Sequence, residues 1–151
     1  MKTNTIENLS EDELLHMLIE QAKQIGACER LKGDEDIQGL VRLLFTPQGA
    51  EFCINNRFPA GQTWRQLRSI GIDNQGVYVD QGDMHLFCPE TAAFVGRTTA
   101  TIECRDTTRY TYVVLRGANL IIDAYDWAVV VVYADPTAHV VKKAHNNAII
   151  I

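Results

Sequence analysis

The sequence predicts an α+β protein in which N-terminal helices over 1–76 pack on a C-terminal β-solenoid-like domain over 77–151. The solenoid is expected to be a right-handed β-helix and to form one compact unit with the helices. Two observations lead there. Apolar residues recur at three- and four-residue steps in the first half, and from Val77 onward they alternate every second residue. Alanine then stands at 118, 128, 138 and 148, and again at 124, 134 and 144, so a ten-residue unit is reused.

The helical half is punctuated in order. Ser10-Glu11-Asp12-Glu13 is a capping-box pattern, with a hydroxyl for orphan amides and Glu three residues on. Leu14, Leu15, Leu18, Ile19, Ala22 and Ile25 form the apolar stripe that follows, and Gly26 is placed to stop it. A second helix is expected from Asp34 to Phe45, its acidic start suited to the positive end of the helix dipole. Thr46-Pro47 reads as an N-cap with proline at the first helical position, opening a short helix that carries Ala50, Cys53 and Ile54. Phe58-Pro59-Ala60-Gly61 breaks the chain, and Thr63 is expected to cap one more short turn through Ile70.

Val77-Tyr78-Val79 and Met84-His85-Leu86 flank Asp80-Gln81-Gly82-Asp83, which predicts a hairpin or a tight corner. Ala100, Ile102 and Cys104 alternate with Thr101, Glu103 and Arg105, the period of a half-buried strand. The tail then reads ANLIIDAYDW, AVVVVYADPT, AHVVKKAHNN and AIII, each a β-branched run with a turn-forming end. In stacked coils about 4.8 Å apart, alanine fits where the backbone turns, and Leu120, Ile122, Val130, Val132 and Val140 fill the interior. Lys142 falls on the inward register, and Val129 and Val131 on the outward one, so the outer side of 128–134 is expected to be covered, by the helices. An antiparallel β-sandwich or jelly roll is the competing architecture, because short alternating strands occur in every all-β fold.

Composition narrows the function classes. A net charge of −5 disfavours nucleic acid and anionic lipid as partners, since both attract basic surfaces. The N-terminus has no secretory apolar core, and the longest apolar run, Ala128 to Ala134, is too short to span a membrane. Cys28, Cys53, Cys88 and Cys104 are scattered, as expected of reduced thiols in a cytoplasmic protein; Cys88 and Cys104, sixteen apart, suit neighbouring coils.

Ala118-Asn119-Leu120 and Ala138-His139-Val140, with a small residue two places before an inward aliphatic one, resemble the pentapeptide-repeat coils of bacterial β-solenoids over 34 residues. Asp123-Ala124-Tyr125 and Lys143-Ala144-His145 depart from that pattern. The whole chain is similar to small proteins of gut anaerobes that offer no activity to transfer. The pentapeptide resemblance implies a binding or mimicry module rather than an enzyme. Mimicry of nucleic acid would need an acidic solenoid face, whereas Glu7, Glu11, Asp12, Glu13, Glu20, Asp34, Glu35 and Asp36 sit in the helical half.

No coherent catalytic set, P-loop, dinucleotide glycine motif or nucleophile elbow is present, and no cofactor is expected. His85, Cys88 and Glu90 make only part of a metal site, so no metal is expected either. Cys53, placed mid-helix, reads as a small buried hydrophobe. Asp135, His139 and His145, with Asp123 and Asp126, fall in or near the repeat turns, where carboxylates and imidazoles aligned on one edge suit acid–base chemistry or calcium. As turn residues alone, Asp and Asn need no such role. Tyr125, Trp127 and Tyr133 cluster near the strongest repeat, either as a platform for sugar or protein or as packing residues.

The leading expectation is a non-enzymatic protein–protein interaction or assembly module. Ala148-Ile149-Ile150-Ile151 offers a strand edge for a second copy, giving a homo-oligomer, or for another protein. The alternative is a small carbohydrate-binding protein or hydrolase in which Asp135, His139 and His145 converge.

Overall fold

The computed structural model describes residues 9–26 and 36–151, so Cys28, Glu7 and the expected helix start at Asp34-Glu35 lie outside it. The chain divides into two compact units after Ile72. The described part of the first unit is helical: α1 (Glu11–Gln24), α2 (Ile37–Leu44), α3 (Pro47–Asn56) and α4 (Gly61–Ser69).

The caps explain three of the four starts. Ser10 Oγ accepts from the Glu13 amide at 3.2 Å, Asp36 from the Gly39 amide at 2.7 Å and Thr46 from the Gly49 amide at 3.1 Å. α4 begins differently from the sequence expectation. Ala60 is its N-cap, without a side-chain hydrogen bond, and Thr63 lies buried inside the helix rather than capping it. The break at Phe58-Pro59 together with Gly61 places the start three residues early. Among the described residues, no helix is long and apolar enough to cross a membrane.

After a single 3-10 turn (Ile72–Gln75), the second unit is a β-solenoid. Its strands are β1 (Val77–Val79), β2 (Gly82–Phe87), β3 (Thr91–Val95), β4 (Thr98–Cys104), β5 (Arg109–Leu115), β6 (Asn119–Ala124), β7 (Val129–Ala134), β8 (His139–Ala144) and β9 (Ile149–Ile150). Odd strands form one sheet in the order β1-β3-β5-β7-β9, and even strands the other in the order β2-β4-β6-β8. Every strand pairing is parallel, which decides against an antiparallel sandwich. Consecutive strands therefore alternate between sheets. Asp80-Gln81 is a corner and not a hairpin, since β1 and β2 belong to opposite sheets.

The ten-residue unit is half a coil. Asn119 pairs with His139 and Val129 with Ile149, so a full turn takes twenty residues. Ala118 and Ala138 consequently share one corner, and Ala128 and Ala148 the opposite one. The first coil is shorter: Val77 pairs with Ala93 and Gly82 with Thr98, sixteen residues on. Cys88, whose amide donates to the Glu103 carbonyl at 2.9 Å, thus neighbours Cys104 on the next coil.

Inward columns make the core. Phe94, Ala100, Ile102, Tyr112, Val114, Leu120, Ile122 and Val130 are buried between the sheets, and burial of each large aliphatic contributes about 1.5–3 kcal/mol. Asp106, Asp126 and Asn146, one per coil at the same corner, take left-handed backbone angles (φ 74°, 60° and 58°), a region Asp and Asn enter more readily than other side chains. Val129 and Val131 on the outer side of β7 are half-buried.

Candidate functional site

The two kinds of corner sort the candidate residues. Asp135 lies at the corner between β7 and β8, where its Oδ2 accepts from the Arg116 amide at 2.7 Å. Its Oδ1 accepts from the Thr137 amide at 2.9 Å, the Thr137 hydroxyl at 2.6 Å and the Ala138 amide at 3.0 Å. Burial by itself would raise the Asp135 pKa, but these donors outweigh it and hold the carboxyl below its ordinary value. A carboxylate so engaged staples one coil to the next and is a poor general base. Asp80 does the same at the first corner on that side, accepting from the Arg97 amide at 2.7 Å.

His139 begins β8 and His145 follows its end. Six strand residues separate them by about 20 Å, so Asp135 and His139 share one edge of the solenoid while His145 stands on the other. The three do not converge. His145 instead places Nε2 3.2 Å from Asp123 Oδ1 and stacks its ring on Tyr125, centroids 4.5 Å apart at 11°. The other face of Tyr125 is covered by the Arg105 guanidinium, 4.2 Å from the ring centroid, and Arg105 is held by Glu103 at 2.6 Å. Arg105, Tyr125 and His145 are spaced by one coil each, so they form a continuous stack along this edge.

That arrangement separates the aromatic residues as well. Both faces of Tyr125 are occupied, Trp127 is exposed (62%) at the same corner, and Tyr133 lies at the far end of β7, on the opposite edge. They do not form one platform. Of the remaining sequence candidates, His16 is exposed on α1, and Cys53 is buried in α3. His85 points outward from β2 while Cys88 packs against the core, so they face opposite sides of the sheet. Among the described residues no three His, Cys, Asp or Glu side chains are grouped to hold a metal ion.

A buried polar cluster sits inside the solenoid beneath the stacked edge. Cys104 Sγ lies 3.2 Å from the Tyr112 hydroxyl, which donates to the Pro89 carbonyl at 2.7 Å, and the Tyr110 hydroxyl donates to the Arg105 carbonyl at 2.6 Å. Burial pushes the Cys104 thiol up to about 11, against a partial lowering by the Tyr112 hydrogen bond. Burial likewise drives the Tyr112 hydroxyl far above its usual range. These groups stay protonated and act as packing, not as nucleophiles.

With this geometry in place, comparison with known proteins adds no constraint. The chain matches no family model, no curated protein and no solved structure.

The core is incompletely closed at the outermost coil, β8 and β9. Leu120, Ile122, Ala124 and Val130 are sealed from solvent, but their successors are not. Val140 and Ile150 are half-buried, and Lys142 and Ala144 are exposed. Val141 (46%), Ile149 (54%) and Ile151 (64%) add exposed aliphatic area to the same coil. β8 is the edge of its sheet and β9 of the other. β9 pairs with Val129 and Val130 of β7, and the Val132 amide donates to the Ile151 carbonyl, leaving Tyr133 and Ala134 at the edge beyond it. Sequence reading singled out the isoleucines. It missed the Arg105–Tyr125–His145 stack, whose signal is the twenty-residue spacing, visible only once two ten-residue units are known to make one coil.

Proposed function

We propose that the protein is a non-enzymatic interaction or assembly module whose contact surface is the outermost coil, β8 together with β9. The observation that carries this reading is the half-open core at that coil, where Val140 and Ile150 continue columns that are fully buried one turn earlier. Unpaired strand edges flanked by aliphatic side chains accept an added strand, with backbone hydrogen bonds giving affinity and alternate side chains giving specificity. The pattern of a small residue two places before an inward aliphatic one, shared with pentapeptide-repeat coils, supports the same binding role. The engaged Asp135 carboxylate and the separation of His139 from His145 favour binding over turnover.

The test is loss of contact on placing a charge in the open end of the core. Sedimentation velocity over a range of concentrations, and affinity capture from the native cell, are run with the wild-type chain and with Val140→Asp and Ile150→Asp. Association or capture that both variants abolish, with strand content retained by circular dichroism, supports the reading. Contacts that survive both variants place the binding surface elsewhere and overturn it.

A further inference from the structure

The two end segments of the solenoid carry opposite formal charge. From Asp73 to Gly96 the chain carries Asp73, Asp80, Asp83 and Glu90 and no Lys or Arg. From Pro136 to Ile151 it carries Lys142 and Lys143, with His139 and His145, and no Asp or Glu. The first coil is thus acidic and the last basic. Both ends also leave the core incompletely closed: Tyr78, Met84, Leu86 and Cys88 are half-buried at the first, and Val132, Ala138, Val140, Ala148 and Ile150 at the last.

Strand register makes the match specific. Val77 pairs with Ala93, Ala93 with Val113 and Val113 with Tyr133, so β1 occupies the column that passes through Tyr133. β9 occupies the columns of Val129 and Val130. β1 and β9 therefore fill different halves of the same sheet edge. A β1 from another molecule fits beside Tyr133 and Ala134, in line with β9 and without displacing it. In that same placement β2 falls on β8, because Asp83, Thr99, Asn119 and His139 form one column and Met84, Ala100, Leu120 and Val140 another.

We infer that the occupant of the outermost coil is the first coil of a second copy of this chain, stacked head to tail so that the parallel sheets run on through the junction. The inference rests on the interaction reading above and names its partner. Asp83 of one copy meets His139 of the next, and Met84 closes over Val140. Such a contact joins two different surfaces, so it does not close on itself and propagates with concentration. Lys142 sets its strength. It stands on the inward column after Leu86, Ile102 and Ile122, and in the junction it would face Leu86 of the added copy. An inward charge on an edge strand limits strand addition, because its ammonium must stay hydrated. The stacking is consequently reversible, and Lys142→Leu tightens it by about tenfold.

A mixing experiment on the full chain separates this geometry from others. Val140→Asp blocks the last coil and Met84→Lys the first; Asp83→Lys, at an exposed position, replaces Met84→Lys if circular dichroism shows lost strand signal. The expected result is a ladder of species beyond the dimer for wild type, shifted to lower concentration by Lys142→Leu. Each blocked variant alone is a monomer, and an equal mixture of the two gives a dimer that grows no further. A wild-type association that stops at two, or a mixture that stays monomeric while wild type associates, overturns the head-to-tail arrangement. A wild type that is monomeric throughout overturns self-stacking, while capture of a different protein that Val140→Asp abolishes would leave the broader interaction reading standing.

Discussion

The Tyr125 ring lies nearly parallel to the His145 imidazole one coil further on, at 4.5 Å between centroids. The two residues are twenty apart and belong to the same corner column, so the contact reports directly on coil-to-coil register. Tyr125→Ala and His145→Ala, combined in a double-mutant cycle, should couple by about 0.5–1 kcal/mol in urea unfolding. Strict additivity of the two would show that the stack contributes nothing to holding β8 on β6.

Asp135 is expected to matter for stability. Asp135→Ala removes the carboxylate acceptor of the Arg116 and Thr137 amides at one corner, at a cost of about 1–2 kcal/mol. Because the folded carboxyl is held below its ordinary pKa, its contribution is present above the unfolded value and disappears as pH falls through the folded one. Asp135→Asn should therefore flatten the acid limb of the stability profile. An unchanged acid limb would contradict the assignment of Asp135 as a corner staple.

The alkaline limb carries the opposite sign. Folding keeps the Cys104 thiol neutral up to about 11, whereas in the unfolded chain it ionises near 9.0. Tyr112 is shifted in the same direction. Stability conferred by these protonated groups is complete below the unfolded values and declines as pH rises through that window. Chemical denaturation on either side of 9.0 should show the decline, and Cys104→Ala should reduce its slope; a slope indifferent to that substitution would mean other groups control it.

Two glycines with similar backbone angles offer an internal control. Gly96 (φ 70°) and Gly117 (φ 80°) stand at equivalent corners, but a Cβ at Gly96 would collide with the Asp80 carboxylate while one at Gly117 meets open space. Alanine at either position incurs the left-handed backbone penalty of about 1 kcal/mol. Gly96→Ala should lose more, and by thermal unfolding the difference should vanish when Asp80→Ala is added.

The solenoid was legible because its physics is repetitive: alanines at fixed intervals, β-branched runs between them and Asp or Asn at the turns can be read one residue at a time. Ser10, Thr46 and Gly26 marked helix ends for the same local reason. Thr63 misled, since a hydroxyl near a helix start looks the same in sequence whether it caps or lies buried. The surface groupings were not legible, because which residues become neighbours depends on coil length. Asp135, His139 and His145 look adjacent along the chain but are parted by a strand crossing the face, whereas Arg105, Tyr125 and His145 look distant and touch. The charge asymmetry between 73–96 and 136–151 was readable as composition, yet it acquires meaning only when those segments prove to be opposite ends of a stack.

The half-coil nature of the ten-residue unit constrains how this molecule can change length. Losing or duplicating twenty residues within β4–β8 returns every downstream strand to its own sheet and every alanine to a corner of the same kind. Ten would send each later strand to the wrong wall and exchange the two kinds of corner. Growth by gene duplication is thereby quantised in whole turns, and a designer could lengthen the rod in those steps without redrawing either of its ends.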